Sequence, residues 1–262
     1  MKFATRSLVV LSTFMAATAA MAQATAPEPD YTLSYNAAVV SEYRVRGIAQ
    51  TAFKPALQAG VDFAHKSGFY LGAFGSNVSW IKDFNGATKG GLEIDLYGGF
   101  KGAITKDIGF DVGVITYQYP GNNSGAAGTP GAGAFSNANT TEIYGALSYS
   151  VFNLKYSRSA GDFLGNLNSS GSQYLDLNAN FDLGNGFTLT PHVGRQTIPN
   201  QGPGGNIANY TDYSLAVAKD MGNGLIISAA AIGTDASKTF YTDPNGKFLG
   251  KSTVVVGLKY NF

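Results

Sequence analysis

Twelve stretches in which apolar and polar residues alternate run through the chain, and the last of them ends at the C-terminal residue. In the stretch from Ser252 to Phe262, apolar side chains stand at every second position, with mostly polar residues between them. Successive side chains of a β-strand point to opposite faces, so this strand has one apolar and one mostly polar face. Such a strand suits a wall with lipid outside and water inside. The pattern therefore predicts an all-β protein, a transmembrane antiparallel β-barrel of about 12 strands with up-and-down topology.

The connections between the predicted strands are short and long in strict alternation. The strands are predicted at 31–44, 55–64, 69–80, 91–102, 108–119, 141–150, 153–160, 172–183, 187–197, 210–219, 225–234 and 252–262. Short connections follow the even-numbered strands and long ones the odd-numbered strands. A barrel with both termini in the periplasm has short periplasmic turns and long extracellular loops, which explains this regularity. A secreted β-sandwich is the alternative, but it gives no reason for the alternation.

The N-terminal residues have the features of a secretory signal peptide. Two basic residues precede an apolar stretch, which ends in the A-x-A cleavage site Ala20-Met21-Ala22. The apolar stretch of about 13 residues is short for the alternative, a membrane anchor. We therefore expect residues 1–22 to be removed, 23–30 to form a short periplasmic segment, and 31–262 to form a barrel in the bacterial outer membrane.

Composition excludes several classes of function. Charged residues make up 13% of the chain, about half the usual share of a globular protein, and a lipid-facing surface requires such a reduction. The chain carries 18 Lys+Arg and 17 Asp+Glu, and this balance gives no electrostatic basis for binding nucleic acid. The absence of cysteine excludes disulfides and thiolate chemistry.

The sequence offers little for catalysis or metal binding. Of the two histidines, His65 falls in a predicted turn, and alternation points His192 inward. No Gly-x-Ser-x-Gly motif accompanies them, so we expect neither enzyme activity nor a cofactor. Glu93 and Asp95 share one strand face and could hold a hard cation. A lattice of lumen charges is the favoured interpretation of that pair.

Alternation assigns many charged side chains to the barrel interior. A Lys or Arg on the lipid face at mid-membrane costs ~2–4 kcal/mol, and Asp or Glu costs less. Both signs occur in the predicted set, so no ion preference follows. Strict alternation puts one member, Arg195, on the apolar face of its strand near the extracellular rim. The candidate lumen charges are Glu93, Asp95, Lys101, Glu142, Lys155, Asp176, Asp182 and Arg195.

The first long connection begins with the closely spaced charges Glu42, Arg44 and Arg46. They could form an ion-pair cluster that fixes the loop, which we favour because Glu42 supplies a partner. They could instead form a mouth that attracts anions. The Gly-rich connection 120–140 could fold inward as a constriction, although a surface loop is the favoured interpretation.

Two further features predict details of the wall. Aromatic residues cluster near both ends of the strands, as in the interfacial girdles of such barrels. The predicted girdle at the short-turn end contains Phe110, Phe152, Phe187, Tyr260 and Phe262. The one at the long-loop end contains Tyr43, Trp80, Tyr117, Tyr119 and Tyr210. A proline at position 191 removes one ladder hydrogen bond, and we expect a bulge there.

The segment from Val40 to Thr51, followed by Lys54-Pro55-Ala56-Leu57-Gln58, carries a recognisable motif. It resembles the S-x-Y-x-x-R-G-x-S-Q-T … P-A-x-Q signature of the TorF-type porin family, whose members carry the Gcw-chp domain. Ala49 stands where that family more often has Ser. The likeness covers about 31–262 and implies an outer-membrane pore.

These observations together lead to an expected function. We expect a porin-like channel for passive diffusion of small polar solutes or ions, and a non-conducting structural or surface-interaction barrel is the alternative. The expected partners are outer-membrane lipid and the barrel-assembly machinery, whose recognition signal the terminal Phe262 resembles.

Overall fold

The computed structural model describes residues 29–262, which form a closed antiparallel barrel of 12 strands. Each strand pairs with its neighbours along the chain, and the last strand pairs with the first. This closure leaves the barrel wall without an edge strand. The predicted fold class and topology are confirmed, whereas the predicted signal peptide 1–22 and residues 23–28 lie outside the described residues. The strands are β1 (Tyr31–Val40), β2 (Ala56–His65), β3 (Phe69–Asn77), β4 (Leu92–Ala103), β5 (Ile108–Gln118), β6 (Thr140–Tyr149), β7 (Phe152–Ser159), β8 (Gln173–Ala179, continued as Phe181–Gly184), β9 (Phe187–Thr197), β10 (Tyr210–Asp220), β11 (Leu225–Thr234) and β12 (Thr253–Asn261).

Long loops and short turns lie at opposite ends of the barrel, as predicted. The turns at Asn185-Gly186 and Asn223-Gly224 have positive φ at both residues, which is the conformation that tight hairpins require. Loop 2 contains the short helix α1 (Trp80–Asp83), and loop 6 contains α2 (Lys238–Tyr241). No helix within 29–262 has the length and apolar character needed to span a membrane. The long connections are loop 1 (41–55), loop 2 (78–91), loop 3 (119–139), loop 4 (160–172), loop 5 (198–209) and loop 6 (235–252).

The outer surface of the barrel is apolar because the alternating residues face outward in register. In β4, Leu92 and Leu96 are exposed on the outside, while Glu93 and Asp95 are buried on the inside. Leu57 on β2, for example, is 72% exposed. Side chains of this kind on every strand form the apolar band that lipid requires.

The two predicted aromatic girdles have different outcomes. At the short-turn end, the predicted members Phe152, Phe187, Tyr260 and Phe262 are exposed, as a girdle requires, and Phe110 is half-buried. The girdle predicted at the long-loop end is wrong, because its members are buried inside the barrel. Tyr117 and Tyr210 share the inward faces of their strands with aspartates, and the other three lie in loops beyond the strand ends. The buried members are Tyr43, Trp80, Tyr117, Tyr119 and Tyr210.

The predicted bulge at Pro191 is also wrong. The β9–β10 ladder continues in register through Pro191, which stands opposite Leu215. The irregularity lies across the other edge of β9, where β8 is interrupted at Asn180. Since Pro191 has no N–H to donate, the ladder opens at the partner strand instead. The first strand also ends at Val40 rather than at 44, because the chain turns inward there.

Candidate functional site in the barrel interior

Loop 1 folds into the barrel. Its two-residue strands Arg44–Val45 and Ile48–Ala49 pair as a small hairpin. A Cβ placed on Gly47, at the tip, would lie 2.5 Å from a methyl carbon of Thr234 and 2.8 Å from Cβ of Asp212. The hairpin tip is therefore packed directly against the wall at β10 and β11.

Arg46 connects this hairpin to strands far along the barrel wall from β1 and β2, which loop 1 joins. Its Nη2 donates to Oε2 of Glu142 on β6 at 2.6 Å, and its Nη1 donates to Oε1 of Gln196 on β9 at 2.7 Å. The guanidinium also lies 4.3 Å from the ring centre of Tyr174 on β8. Burial alone would lower the pKa of Arg46, but the Glu142 carboxylate raises it, and the net pKa lies above its ordinary value. One loop residue thus joins three strands across the lumen.

Arg44 is held within the loop end of the barrel. It donates to both carboxylate oxygens of Glu42 at 3.2 Å, to the carbonyl of Gly47 at 2.7 Å and to that of Leu249 at 3.0 Å. Burial lowers the pKa of Arg44, and the adjacent Glu42 opposes that shift. Both loop arginines are therefore engaged with protein groups. This geometry matches the ion-pair interpretation of the loop more closely than an open anion mouth.

Glu93 and Asp95 lie beside loop 1 on the inner face of β4. Glu93 accepts hydrogen bonds from the hydroxyls of Tyr43 at 2.6 Å and Tyr119 at 2.8 Å. Asp95 is fully buried, and its carboxylate oxygens have no hydrogen-bond partner among residues 29–262. Within this range no group of three His, Cys, Asp or Glu side chains is arranged to hold a metal ion.

Beside and below the tip of loop 1, acidic and basic side chains alternate along the inner wall. We call this set the charge belt. Lys101 lies 5.5 Å from the ring centre of Tyr70, whose hydroxyl donates to Asp111 at 2.6 Å. The Nζ atom of Lys155 lies 3.8 Å from the ring centre of Tyr144. The belt comprises Lys101 on β4, Asp111 on β5, Lys155 on β7, Asp176 on β8, His192 on β9 and Asp212 on β10.

His192 bridges two carboxylates in this belt. Its Nδ1 lies 3.1 Å from Oδ1 of Asp176, and its Nε2 lies 2.8 Å from Oδ1 of Asp212. A neutral imidazole has a single N–H, so hydrogen bonds to both carboxylates require the doubly protonated cation. The Tyr174 hydroxyl donates to the same Asp212 at 3.0 Å. His192 is therefore a cation between two anions. Its hydrogen-bond partners among the described residues are Asp176, Asp212 and Tyr174, and none of them is a serine.

Two of the candidate lumen charges lie outside this arrangement. Asp182 is exposed near a short turn, where it accepts a hydrogen bond from the backbone N–H of Gly184 at 2.8 Å. Arg195 is exposed on the outer face near the long-loop end, and it donates to Thr211 at 3.1 Å. The position of Arg195 follows strict alternation.

Sequence analysis missed Asp111, Asp212 and the inward tyrosines of the belt. Asp212 could have been found from the sequence, because Leu215 and Val217 mark the outward face of the same strand. The same reasoning applies to Asp111, because it directly precedes Val112 and alternates with the outward Val112 and Val114. The tyrosine contacts between strands carry no local sequence signal.

The remaining long loops close over loop 1. Loop 3 rests on loops 2 and 4, with Gly131 N–H donating to Gly86 at 3.3 Å and Ser136 N–H to Gly165 at 2.7 Å. Loop 3 is therefore part of a surface cap, and the inserted segment is loop 1. Beneath the cap lies a cavity of about 60 Å³, lined by loop 1 and by aromatic residues that include Trp80. Above it, the cap contains an open cleft of about 390 Å³.

Comparison with known proteins places the chain in a family and in a fold. No curated protein sequence matches it. It is similar in structure to the KdgM porin solved in complex with disordered oligogalacturonate, with a TM-score of 0.52, 8% identity, and coverage of 88% of this chain and 98% of that chain. It is also similar to the NanC porin, with a TM-score of 0.53, 10% identity, and coverage of 87% of this chain and 99% of that chain. At such identities the likeness concerns the fold alone. The profile of the family described as "Bacterial protein of unknown function (Gcw_chp)" matches residues 22–262, and the chain therefore belongs to the Gcw_chp family.

Proposed function

We propose that this protein is a porin-like channel of the bacterial outer membrane, through which small polar solutes or ions diffuse passively. The charge belt is the observation that carries the proposal. Ionised groups of both signs line the inside of a wall whose outside is apolar, and this division fits lipid outside and water inside. The shared barrel fold of the KdgM and NanC porins supports the same function.

Loop 1 would set the size limit of the channel. It crosses the lumen at the long-loop end, and Arg46 fixes it to β6 and β9. Below it, three neighbouring inward positions of β10 and β11 are occupied by the small residues Ala216, Ala218 and Ala230. This side of the lumen therefore has room for solute. The belt, which runs along the inner wall from β4 to β10, would supply hydrogen-bonding and charged groups.

The orientation follows from the loops. Long loops face the outside of the cell in barrels of this type, and short turns face the periplasm. Export through the signal peptide 1–22 would deliver the chain to the periplasm. Phe262 is 75% exposed on the outer face at the short-turn end, where the assembly machinery could contact it.

Single-channel recording in planar bilayers tests the proposal. The native protein should give discrete conductance steps, and Arg46→Ala should enlarge them because it releases loop 1 from the far wall. Arg195→Ala is the matched control, since that arginine is exposed outside the barrel and should leave the steps unchanged. Silence of both the native protein and Arg46→Ala would contradict the channel.

A non-conducting barrel is the second candidate, and one observation favours it. The cavity above loop 1 measures only about 60 Å³, which holds a few water molecules at most. A barrel whose long-loop end is occupied by loop 1 and the cap could serve as a structural or surface-interaction protein. Silence of the native protein together with conduction by Arg46→Ala would support this second candidate.

A further inference from the structure

The cleft in the cap, above the cavity that borders loop 1, has the composition of a small-molecule binding site. Its volume of about 390 Å³ falls within the range typical of ligand pockets. Five of the six long loops contribute to it, so residues distant in sequence converge there. The cleft is lined by Phe84, Ala134, Phe135, Asn166, Gln201, Thr239, Phe240, Thr242, Asp243 and Pro244.

The aromatic residues of the cleft form a continuous series. The ring centre of Phe84 lies 5.8 Å from that of Phe135 and 6.0 Å from that of Phe240. Phe240 lies 4.9 Å from Tyr241, which borders the inner cavity. The series therefore leads from the open cleft toward loop 1. Such rings present flat faces with partial negative charge, on which the C–H groups of a ligand can pack.

The polar residues of the cleft are amides, hydroxyls and one carboxylate. Asp243 is 3% exposed, and its Oδ1 accepts from the backbone N–H groups of Asn245 at 2.9 Å and Lys247 at 2.8 Å. Its Oδ2 has no hydrogen-bond partner among residues 29–262. A buried carboxylate oxygen without a donor is costly, and a ligand hydroxyl would satisfy it. The lining residues include no Lys or Arg.

We infer that this cleft binds a neutral carbohydrate of about disaccharide size. The C–H face of a sugar ring packs on Phe84 and Phe240, and its hydroxyls hydrogen-bond with Asp243, Asn166 and Gln201. An acidic sugar is disfavoured, because the cleft offers a carboxylate and no cation. This inference extends the proposed function by naming a solute that the channel would capture, but binding at the cleft does not depend on conduction.

The single tryptophan of the chain provides the readout. Trp80 is 6% exposed and lines the cavity directly beneath the cleft, in edge-to-face contact with Tyr119 at 5.3 Å. The native protein in detergent micelles is titrated with cellobiose, with maltose and with digalacturonate while Trp80 fluorescence is recorded. A saturable change with a neutral disaccharide is expected, and digalacturonate should bind at least tenfold more weakly.

Two variants locate the site. Phe240→Leu removes one stacking ring while keeping apolar volume, and it should raise the Kd roughly two- to tenfold. Asp243→Asn removes the carboxylate but keeps an acceptor for the loop, and it should also weaken binding. Phe152→Leu and Asp182→Asn are the matched controls at the far end of the barrel and should bind as the native protein does. Faster migration of the unboiled protein in gels verifies folding of each variant.

The outcomes separate this inference from the channel itself. Absence of a saturable signal with either neutral disaccharide, tighter binding of digalacturonate, or equal binding by the variants and their controls would overturn the carbohydrate site. Saturable neutral-sugar binding that both variants weaken supports it, even if the protein gives no conductance steps. Conductance steps without sugar binding would leave the channel standing and remove this site.

Discussion

The substitution Glu142→Gln tests whether an ion pair holds loop 1 in the lumen. The Glu142 side chain is 1% exposed and the Arg46 side chain 10% exposed, so the pair is well shielded from water. Removing one partner of a buried pair costs ~3–5 kcal/mol, because the other charge stays buried without compensation. The new amide oxygen can still accept from Arg46, and Gln196 still binds the guanidinium at 2.7 Å. We therefore expect a loss of about 3 kcal/mol in the free energy of unfolding, at the low end of that range.

Equilibrium unfolding in urea, with the refolded barrel in lipid vesicles, measures this loss. Asp182→Asn is the matched control, because it makes the same carboxylate-to-amide change at an exposed position. The control should change the free energy of unfolding by about 0.5 kcal/mol or less. Adding Arg46→Met to Glu142→Gln should cost less than the sum of the two single changes, since the double variant leaves no charge unpaired.

Two results would refute this reasoning. The first is a loss below about 1 kcal/mol for Glu142→Gln, which is the value expected of an exposed pair. The second is strict additivity of the Arg46 and Glu142 substitutions, which would show that the two side chains do not depend on each other. Either result would mean that contacts other than this pair hold loop 1.

Three further predictions concern the loop tip, the C-terminus and the charge belt. Gly47→Ala should destabilise the barrel by about 1–3 kcal/mol in the same urea assay, because the new methyl meets Thr234. Gly128→Ala, also at positive φ (81°) but with nothing within 4 Å, should cost less. Deletion of the exposed Phe262 should lower the folded fraction in cell membranes, measured by gel migration, while refolding of the purified chain stays unchanged. His192→Gln removes the cation between two aspartates and should shift the reversal potential toward cation preference; an unchanged potential would contradict this role of the belt.

Local periodicity was sufficient to predict the wall of the barrel. Alternation in single strands, such as β4 with Leu92 and Leu96 opposite Glu93 and Asp95, depends only on the geometry of an extended chain. The parity of loop lengths likewise follows from closure of an up-and-down barrel. Alternation and loop length both depend on residues close together in the chain, so they can be predicted from the sequence.

The position of loop 1 depends on contacts that sequence periodicity does not encode. Arg46 meets Glu142 and Gln196, which lie 96 and 150 residues away along the chain. Alternation could have placed Tyr117 and Tyr210 inside the barrel, because both lie on strands, but it could not place the three aromatics that lie in loops. Tyr43 lies in a loop, where alternation says nothing about direction, and its hydroxyl meets Glu93 only because loop 1 turns inward.

The contrast between loops 1 and 3 explains why the shorter loop occupies the lumen. Loop 3 is longer and rich in Gly, and no ion pair ties it to the barrel wall among the residues described. Loop 1 carries two arginines, whose burial is favourable only where acidic and carbonyl groups compensate them. The inner wall supplies such groups at its upper level, through Glu142 and Gln196. In the charge belt, His192 pairs with Asp176 and Asp212, and the two lysines lie against tyrosine rings. One carboxylate and one amide at the upper level of the wall thus hold loop 1 inside the barrel.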